Sequence, residues 1–331
     1  MKTFRSLSYK DFGDPETQIT PVSSYLRELT EDELLVKMIL TPINPSDLIP
    51  VTGAYRHRTL LPALVGFEGV GVIEKVGHAK NNKLLGKRVL LIDVEGTWQE
   101  FLVVKNCQVL PIPDFISDIE AAQLYINPLS AWVICEHLLN ISPNNFIAIN
   151  ACASSLGRSL IQLIQFHCKN IIAIVRSDQD AELLKSMGVR YVLNTNRQSI
   201  AESIISITKK RGVDYAIDSV GGQQGTILAK CVTQKGQFLS VGILSKKQVD
   251  WEYITQHLNI RANIFHLRHW LKRASSTEKI QAFDQLFLLI KNKHLEINAR
   301  YKIYSFDDYK YALKNVLRVE FKGKILLRMS E

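Results

Sequence analysis

The chain has 331 residues, 46% of them hydrophobic and 22% charged, with a formal net charge of +9. That length suits about two domains, and the composition excludes a disordered polymer. No apolar run approaches the roughly 18 residues of a membrane span, and the N-terminal segment lacks the apolar centre of a secretory leader, which points to the cytoplasm and away from a membrane. A positive balance suits nucleic acid, a membrane surface or an anionic small ligand. The lysines and arginines are dispersed, and neither zinc-knuckle spacing nor an RRM-type aromatic motif occurs, which sets nucleic acid aside.

Residues 1–118 are rich in Gly, Pro and β-type runs such as Gly69-Val70-Gly71-Val72-Ile73 and Arg88-Val89-Leu90-Leu91-Ile92, and predict a mostly β domain. Gly13-Asp14-Pro15 reads as the turn after its first strand. From about residue 145, short apolar runs at 145–151, 170–176, 191–195, 213–222 and 236–244 alternate with amphipathic segments. In 154–168 the apolar residues Leu156, Leu160, Leu163 and Ile164 recur at helical spacing. This alternation predicts a parallel sheet covered by helices, a doubly wound nucleotide-binding unit spanning 119–269. A strand-like run at 299–306, a helix near 307–319 and a run at 323–329 read as pieces that return to the first domain, completing it over 270–331. The cleft between two such domains is the default ligand site.

Cys107, Cys135, Cys152, Cys168 and Cys231 are odd in number, far apart and form no CxxC pair, which points to reduced thiols, most of them small core residues. The turn after the first strand of the doubly wound unit reads Asn150-Ala151-Cys152-Ala153-Ser154-Ser155-Leu156-Gly157. Small residues there let backbone N–H groups approach a pyrophosphate, and Gly157 lets the helix pack on the strand; an ordinary strand-turn-helix fits the same residues. The next strand ends at Arg176-Ser177, where an NAD enzyme places an acid for the ribose hydroxyls and an NADP enzyme a base for the extra phosphate. Arg176 favours NADPH, while Asp178 offers the NAD alternative. His266 and His269 stand among Arg268, Lys272 and Arg273, a basic setting that opposes a metal cation and suits the phosphates of NADPH, coenzyme A or an acyl carrier.

Asn44-Pro45-Ser46-Asp47, Gly53-Ala54-Tyr55, Gly66-Phe67-Glu68-Gly69-Val70-Gly71, Gly96-Thr97-Trp98, Asn127-Pro128-Leu129-Ser130-Ala131-Trp132 and Val220-Gly221-Gly222 follow one another along the chain. In that order they resemble the mitochondrial and bacterial 2-enoyl thioester reductases, in the zinc-free part of the medium-chain dehydrogenase/reductase superfamily. The resemblance runs from about residue 12 to 327. It implies an α/β protein in which a GroES-like, mostly β catalytic domain is joined to a Rossmann domain with a parallel sheet. It further implies NADPH as cofactor and reduction of the α,β double bond of an enoyl-CoA or enoyl-acyl carrier protein, with hydride to the β carbon and a proton to the α carbon.

The same resemblance implies Tyr55 as the proton donor. It implies cofactor contacts at Asn44, Asn127, Ala153, Ser154, Ser155, Leu156, Gly157, Arg176, Ser177, Val241, Gly242, Ile243, Phe265, Leu267 and Lys324, and a homodimer paired through Rossmann sheet edges. The dinucleotide turn departs from its relatives by a lost glycine at Ser155. Zinc-dependent relatives carry a Cys-His pair near 44–47 and a His before the glutamate; Asn44 and Phe67 occupy those places here, and no zinc is expected. Two alternatives remain: a quinone or enone reductase of the same fold, and a non-enzymatic cofactor-binding protein like the lens-crystallin relatives.

Overall fold

The computed structural model describes residues 3–297, 300–318 and 321–329; residues 299 and 319, at the margins of two predicted segments, lie outside them. The chain divides into two compact units, Met1–Ile126 with Ala274–Glu331, and Asn127–Arg273.

The first stretch of the first unit forms β1 (Thr3–Tyr9), α1 (Pro15–Gln18), β2 (Thr20–Tyr25), β3 (Glu33–Pro42), α2 (Pro45–Leu48), β4 (Ala63–Leu64), β5 (Val70–Val76), β6 (Arg88–Leu91), β7 (Phe101–Lys105), β8 (Val109–Pro111) and α3 (Asp118–Ala121). The expected turn at Gly13-Asp14-Pro15 is instead the start of a one-turn helix. The Asp14 carboxylate accepts the Glu16 N–H at 2.9 Å, and Pro15 takes the first helical position, where its missing N–H costs nothing. The first unit keeps the chain beyond residue 118 because Arg88 grips this segment: its guanidinium reaches the Asp118 carboxylate and the Ile116 carbonyl, each at 2.6 Å.

The second unit runs through α4 (Asn127–Val133), a π-helical turn at Ile134–Leu138, β9 (Ile147–Ile149), α5 (Ser155–Ile164), β10 (Ile171–Val175), α6 (Asp178–Ser186), β11 (Tyr191–Asn194), α7 (Ile200–Ile207), β12 (Val213–Asp218), α8 (Gly222–Lys230), β13 (Val232–Ser240), α9 (Trp251–His257), β14 (Arg261–Ile264) and α10 (Leu267–Arg273). Its sheet is parallel throughout, in the order β11-β10-β9-β12-β13-β14. This is the Rossmann order, with its topological switch between β9 and β12. The central strands are continuous apolar runs because helices cover a parallel sheet on both faces; β10 is buried along its whole length. β14 was not visible as an apolar run: it is a polar edge strand, Arg-Ala-Asn-Ile, and draws its strand character from pairing with β13.

The chain then returns to the first unit as α11 (Ser276–Lys291), β15 (Tyr301–Ser305), α12 (Tyr309–Leu317) and β16 (Lys324–Arg328). β16 pairs parallel to β15 and antiparallel to β3, so the C-terminal segment becomes part of the sheet order β15-β16-β3-β5-β6-β8, with β7 also on β3. The core here gathers Leu34, Val36, Met38, Ile73, Trp98 and Leu327, and that of the second unit Ile172, Ile174, Ala216 and Phe238. No helix among the described residues is long and apolar enough to cross a membrane.

Gly157 lies where the first turn of α5 presses on the loop after β9. A Cβ there would stand 2.6 Å from the Ala151 carbonyl oxygen and 2.6 Å from the Cys152 Cα, closer than any backbone contact tolerates. Gly157→Ala is therefore expected to cost about 1–3 kcal/mol of stability, the range for overpacking. Urea unfolding that showed no loss would mean that α5 can move off the strand without penalty.

Candidate active site

In the second unit the sequence-predicted residues converge because a parallel sheet brings all its strand ends to one edge. Ala153, Ser154, Ser155, Leu156 and Gly157 follow β9, Arg176 and Ser177 follow β10, Val241, Gly242 and Ile243 follow β13, and Phe265 and Leu267 follow β14. Asn127 stands apart, half-buried at the start of α4. Ser154 caps α5, its hydroxyl accepting the Gly157 N–H at 3.1 Å, so the helix presents its remaining N-terminal N–H groups and its positive dipole end beside the turn. The turn closes with Ala151 in the left-handed region, φ +50°, a conformation that disfavours any side chain.

The switch point is clamped by Asn150 and Asp218. The Asn150 amide donates to the Asp218 carboxylate and accepts the Ser219 N–H at 2.7 Å, while Asp218 also takes the Gly221 and Val220 N–H groups. Burial pushes the Asp218 carboxyl up, opposed by the Asn150 amide and the backbone donors. These bonds explain Val220-Gly221-Gly222 as a structural motif: it wraps a buried carboxylate that ties β12 to β9.

The two candidates for the ribose position have different surroundings. Asp178 is already engaged, accepting from the Asn194 amide at 2.8 Å and pairing with Arg197. Ser177 caps α6, its hydroxyl on the Asp180 carboxylate at 2.6 Å and accepting the Asp180 N–H at 3.2 Å. Arg176 is exposed, and among the described residues its guanidinium has neither a hydrogen bond nor an ion pair. Arg158, in the first turn of α5, is a second cation here that the sequence did not single out. Burial lowers its pKa, and the Asp180 carboxylate works against that.

The first unit holds a buried charge cluster. α2 begins with Asn44, continues through Pro45 and closes on Asp47, whose carboxylate accepts the Asn44 N–H at 2.7 Å. The Asn44 amide donates to Glu68 at 2.9 Å and its oxygen accepts from the Lys324 ammonium. Glu68 also accepts the Ile126 N–H at 2.9 Å, and its backbone carbonyl accepts the Thr41 hydroxyl at 2.6 Å. Lys324 is only 5% exposed, Asn44 and Asp47 2%, and Glu68 fully buried. Asn44 and Lys324 are thus brought together, from opposite ends of the chain.

Two carboxylates and one ammonium without water are best accommodated with one carboxyl protonated. Burial pushes Asp47 up to about 7, against the Asn44 N–H and Lys324 and reinforced by Glu68. Glu68 is likewise pushed up by burial, opposed by Lys324, and Lys324 is pulled down by burial, opposed by Glu68 and Asp47. Among the described residues the buried Ser46 hydroxyl has no hydrogen-bond partner. Sequence reasoning weighed Asp47 and Glu68 only as motif letters, since nothing local announces that Lys324 will meet them.

Tyr55 lies in the turn-rich segment after α2. Gly53 N–H bonds to the Pro50 carbonyl, Arg56 N–H to Gly53 and Arg58 N–H to Tyr55, each at 3.0 Å, and Gly13 N–H anchors the segment at the Val51 carbonyl. The Tyr55 ring is half-buried under the Arg58 guanidinium, 4.0 Å from its centroid, and its hydroxyl has no hydrogen-bond partner among the described residues.

Residues 30–114 match the family described as "Alcohol dehydrogenase GroES-like domain", and residues 156–313 match that described as "Zinc-binding dehydrogenase". A mitochondrial enoyl-[acyl-carrier-protein] reductase of Caenorhabditis elegans is 31% identical over 265 residues, 74% of this chain and 73% of that protein. A crystal structure from Bacillus thuringiensis, provisionally described as an NADPH:quinone reductase, superposes with a TM-score of 0.95 at 40% identity, covering 99% of both chains. The Escherichia coli quinone oxidoreductase complexed with NADPH shares the fold, with a TM-score of 0.88 at 22% identity and coverage of 98% and 99%. The chain belongs to the medium-chain dehydrogenase/reductase family, among the enoyl reductases and quinone oxidoreductases. It is an oxidoreductase, in a family whose members bind NADP(H).

The second family's name implies zinc, and the residues here do not fit it. Asn44 and Phe67 supply neither thiolate nor imidazole, and the carboxylates nearby already face the Lys324 ammonium. Among the described residues no group of three or more His, Cys, Asp and Glu side chains could hold a metal ion.

Asp47 carries a pH signature. Its folded pKa lies above the unfolded value of about 3.9, so the folded state keeps a proton the unfolded chain releases, and stability falls as pH rises from about 4 through about 7. Asp47→Asn mimics the protonated form and still accepts the Asn44 N–H. Its melting temperature should therefore fall several degrees less than the parent's between pH 5.5 and 8.5. Parallel melting curves across that range would show that Asp47 is not the titrating group.

Proposed function

We propose that the protein is an NADPH-dependent reductase of the α,β double bond of 2-enoyl thioesters. The observation that carries this reading is Tyr55: a half-buried ring fixed by nested turns, with a hydroxyl bound to no other residue among those described and so available to a substrate. When bound, NADPH supplies a hydride to the β carbon. Tyr55 then donates a hydrogen bond or a proton where charge builds toward the α carbon and thioester oxygen. Arg176 meets the 2′-phosphate, and the turn Ala153 to Gly157 at the start of α5 meets the pyrophosphate. Asn44, Asn127, Ser177, Val241, Gly242, Ile243, Phe265, Leu267 and Lys324 complete the proposed cofactor contacts; Lys324 and Asn44 act from within their buried network, as positioning groups. β11 and β14, each paired on one side only among the described residues, are the sheet edges open to a homodimer.

The quinone or enone reading has its own support in the 40% identical Bacillus thuringiensis structure. The two readings differ in their need for a protein proton donor, because a quinone can take its protons from solvent. Tyr55→Phe keeps the ring and removes the hydroxyl. It should lower turnover of 2-enoyl-CoA esters by about 10² or more, the scale of a lost general acid or oxyanion donor, while leaving NADPH binding intact and quinone turnover less affected. Parent-like turnover of enoyl thioesters by this variant, with NADPH bound, would move the quinone reading to first place.

Arg176→Ala tests the cofactor assignment. It should raise the KM for NADPH, with a loss of about 1.5–3 kcal/mol for a charge-assisted hydrogen bond, and leave NADH use nearly unchanged. Equal effects on both cofactors would remove Arg176 from the phosphate site.

A further inference from the structure

The segment that carries Tyr55 continues with Arg56, His57 and Arg58, then Leu60 and Leu61, and this succession is not explained by folding. Leu60 is 88% exposed, Leu61 37% and Leu64 40%, although each is apolar. Arg56 and Arg58 are exposed and, among the described residues, neither pairs with a carboxylate. Each guanidinium is instead laid over an aromatic ring of the same unit, Arg56 at 5.1 Å from the Phe12 centroid and Arg58 at 4.0 Å from that of Tyr55. Stacking uses the flat face of a guanidinium and leaves the N–H donors around its rim. Two guanidiniums two residues apart in the chain, each with no acid to satisfy its donors among the described residues, suit an anion with several oxygens. The exposed leucines that follow them in the chain suit a ligand that is anionic at one end and less polar at the other.

Resting on the enoyl-thioester reading above, we propose that Arg56 and Arg58 recognise the phosphate of a phosphopantetheine arm, with Leu60, Leu61 and Leu64 flanking its less polar portion. The arm belongs either to coenzyme A or to a carrier protein; both present the same pantetheine phosphate. Arg56 and Arg58 are specificity residues in this scheme and touch no reacting atom.

The test compares three esters of one short 2-enoyl acid, on coenzyme A, on a phosphopantetheinylated carrier protein and on N-acetylcysteamine, which lacks the phosphate. In the double variant Arg56→Gln with Arg58→Gln the KM for a phosphate-bearing ester should rise about tenfold or more, and any change in kcat, which reports loss of the Arg58 cover on the Tyr55 ring, should be the same for the cysteamine ester. The cysteamine ester and NADPH should keep their KM values, and Arg58→Lys should recover part of the loss by restoring charge. A rise with the coenzyme A ester identifies the free cofactor as the source, and a rise with the carrier-protein ester alone identifies the protein-bound arm. Equal losses on phosphate-bearing and phosphate-free esters, or a rise in the KM for NADPH instead, would overturn the assignment. Calorimetric titration with coenzyme A and with phosphopantetheine reads the anion site without turnover. Binding by the parent that is lost in the double variant supports the site even if no thioester is reduced, in which case the enoyl-reductase reading fails by itself. Absence of binding of either by the parent overturns the site.

Discussion

A lysine ammonium sealed in with two carboxylates is the constraint around which the first unit is arranged. Burying charge costs several kcal/mol per ion unless pairing and hydrogen bonds offset it, so every group near the cluster must be placed with little tolerance. Asn44 bridges Glu68 and Lys324, the Ile126 N–H takes the second Glu68 oxygen, and Thr41 holds the Glu68 backbone. These partners come from the start of α2, the loop before β5, the end of the first stretch of chain and the first residue of β16. The return of the C-terminal segment is therefore an electrostatic requirement as well as a packing one: without β16 the carboxylates would lack their cation.

The cluster also explains how this unit relates to zinc-dependent members of its family. The cation beside Glu68 is the Lys324 ammonium, and Asn44 and Phe67 supply neither the thiolate nor the imidazole that a zinc ion would need. An ammonium donates hydrogen bonds and fixes geometry, whereas it offers no open coordination position to a substrate oxygen. Polarisation of the substrate must then come from side-chain donors, which is the role the Tyr55 hydroxyl is proposed to fill.

The second unit is built on a different solution to a similar problem. Its buried acid, Asp218, is met by an amide and three backbone donations, with no counter-charge, and this ties the two strands that flank the switch point. Among the described residues Arg176 is left exposed and unpaired, while Asp178 is occupied by Asn194 and Arg197. The proposed preference for NADPH rests on this difference in surroundings between two neighbouring residues.

The alternation of apolar runs from residue 145 onward was enough to establish the doubly wound sheet, because strands buried on both faces must be apolar throughout and the helices between them must carry one apolar face. The packing role of Gly157 and the strand-end position of Arg176 were legible because turn chemistry and strand ends are local; the cap that Ser154 places on α5 was not read from the sequence. β14 was not, since a polar edge strand has no pattern of its own. The start of α1 was misread as a turn because Asp-Pro opens either one. Motif letters identified Asn44, Glu68 and Lys324 through resemblance, but only the tertiary structure decided that they form one buried network and that Asp47 shares its proton balance. A hydrogen bond between residues 280 positions apart, as Lys324 and Asn44 are, and the Coulombic pull of Glu68 and Asp47 on the same ammonium leave no periodicity in the chain to be read.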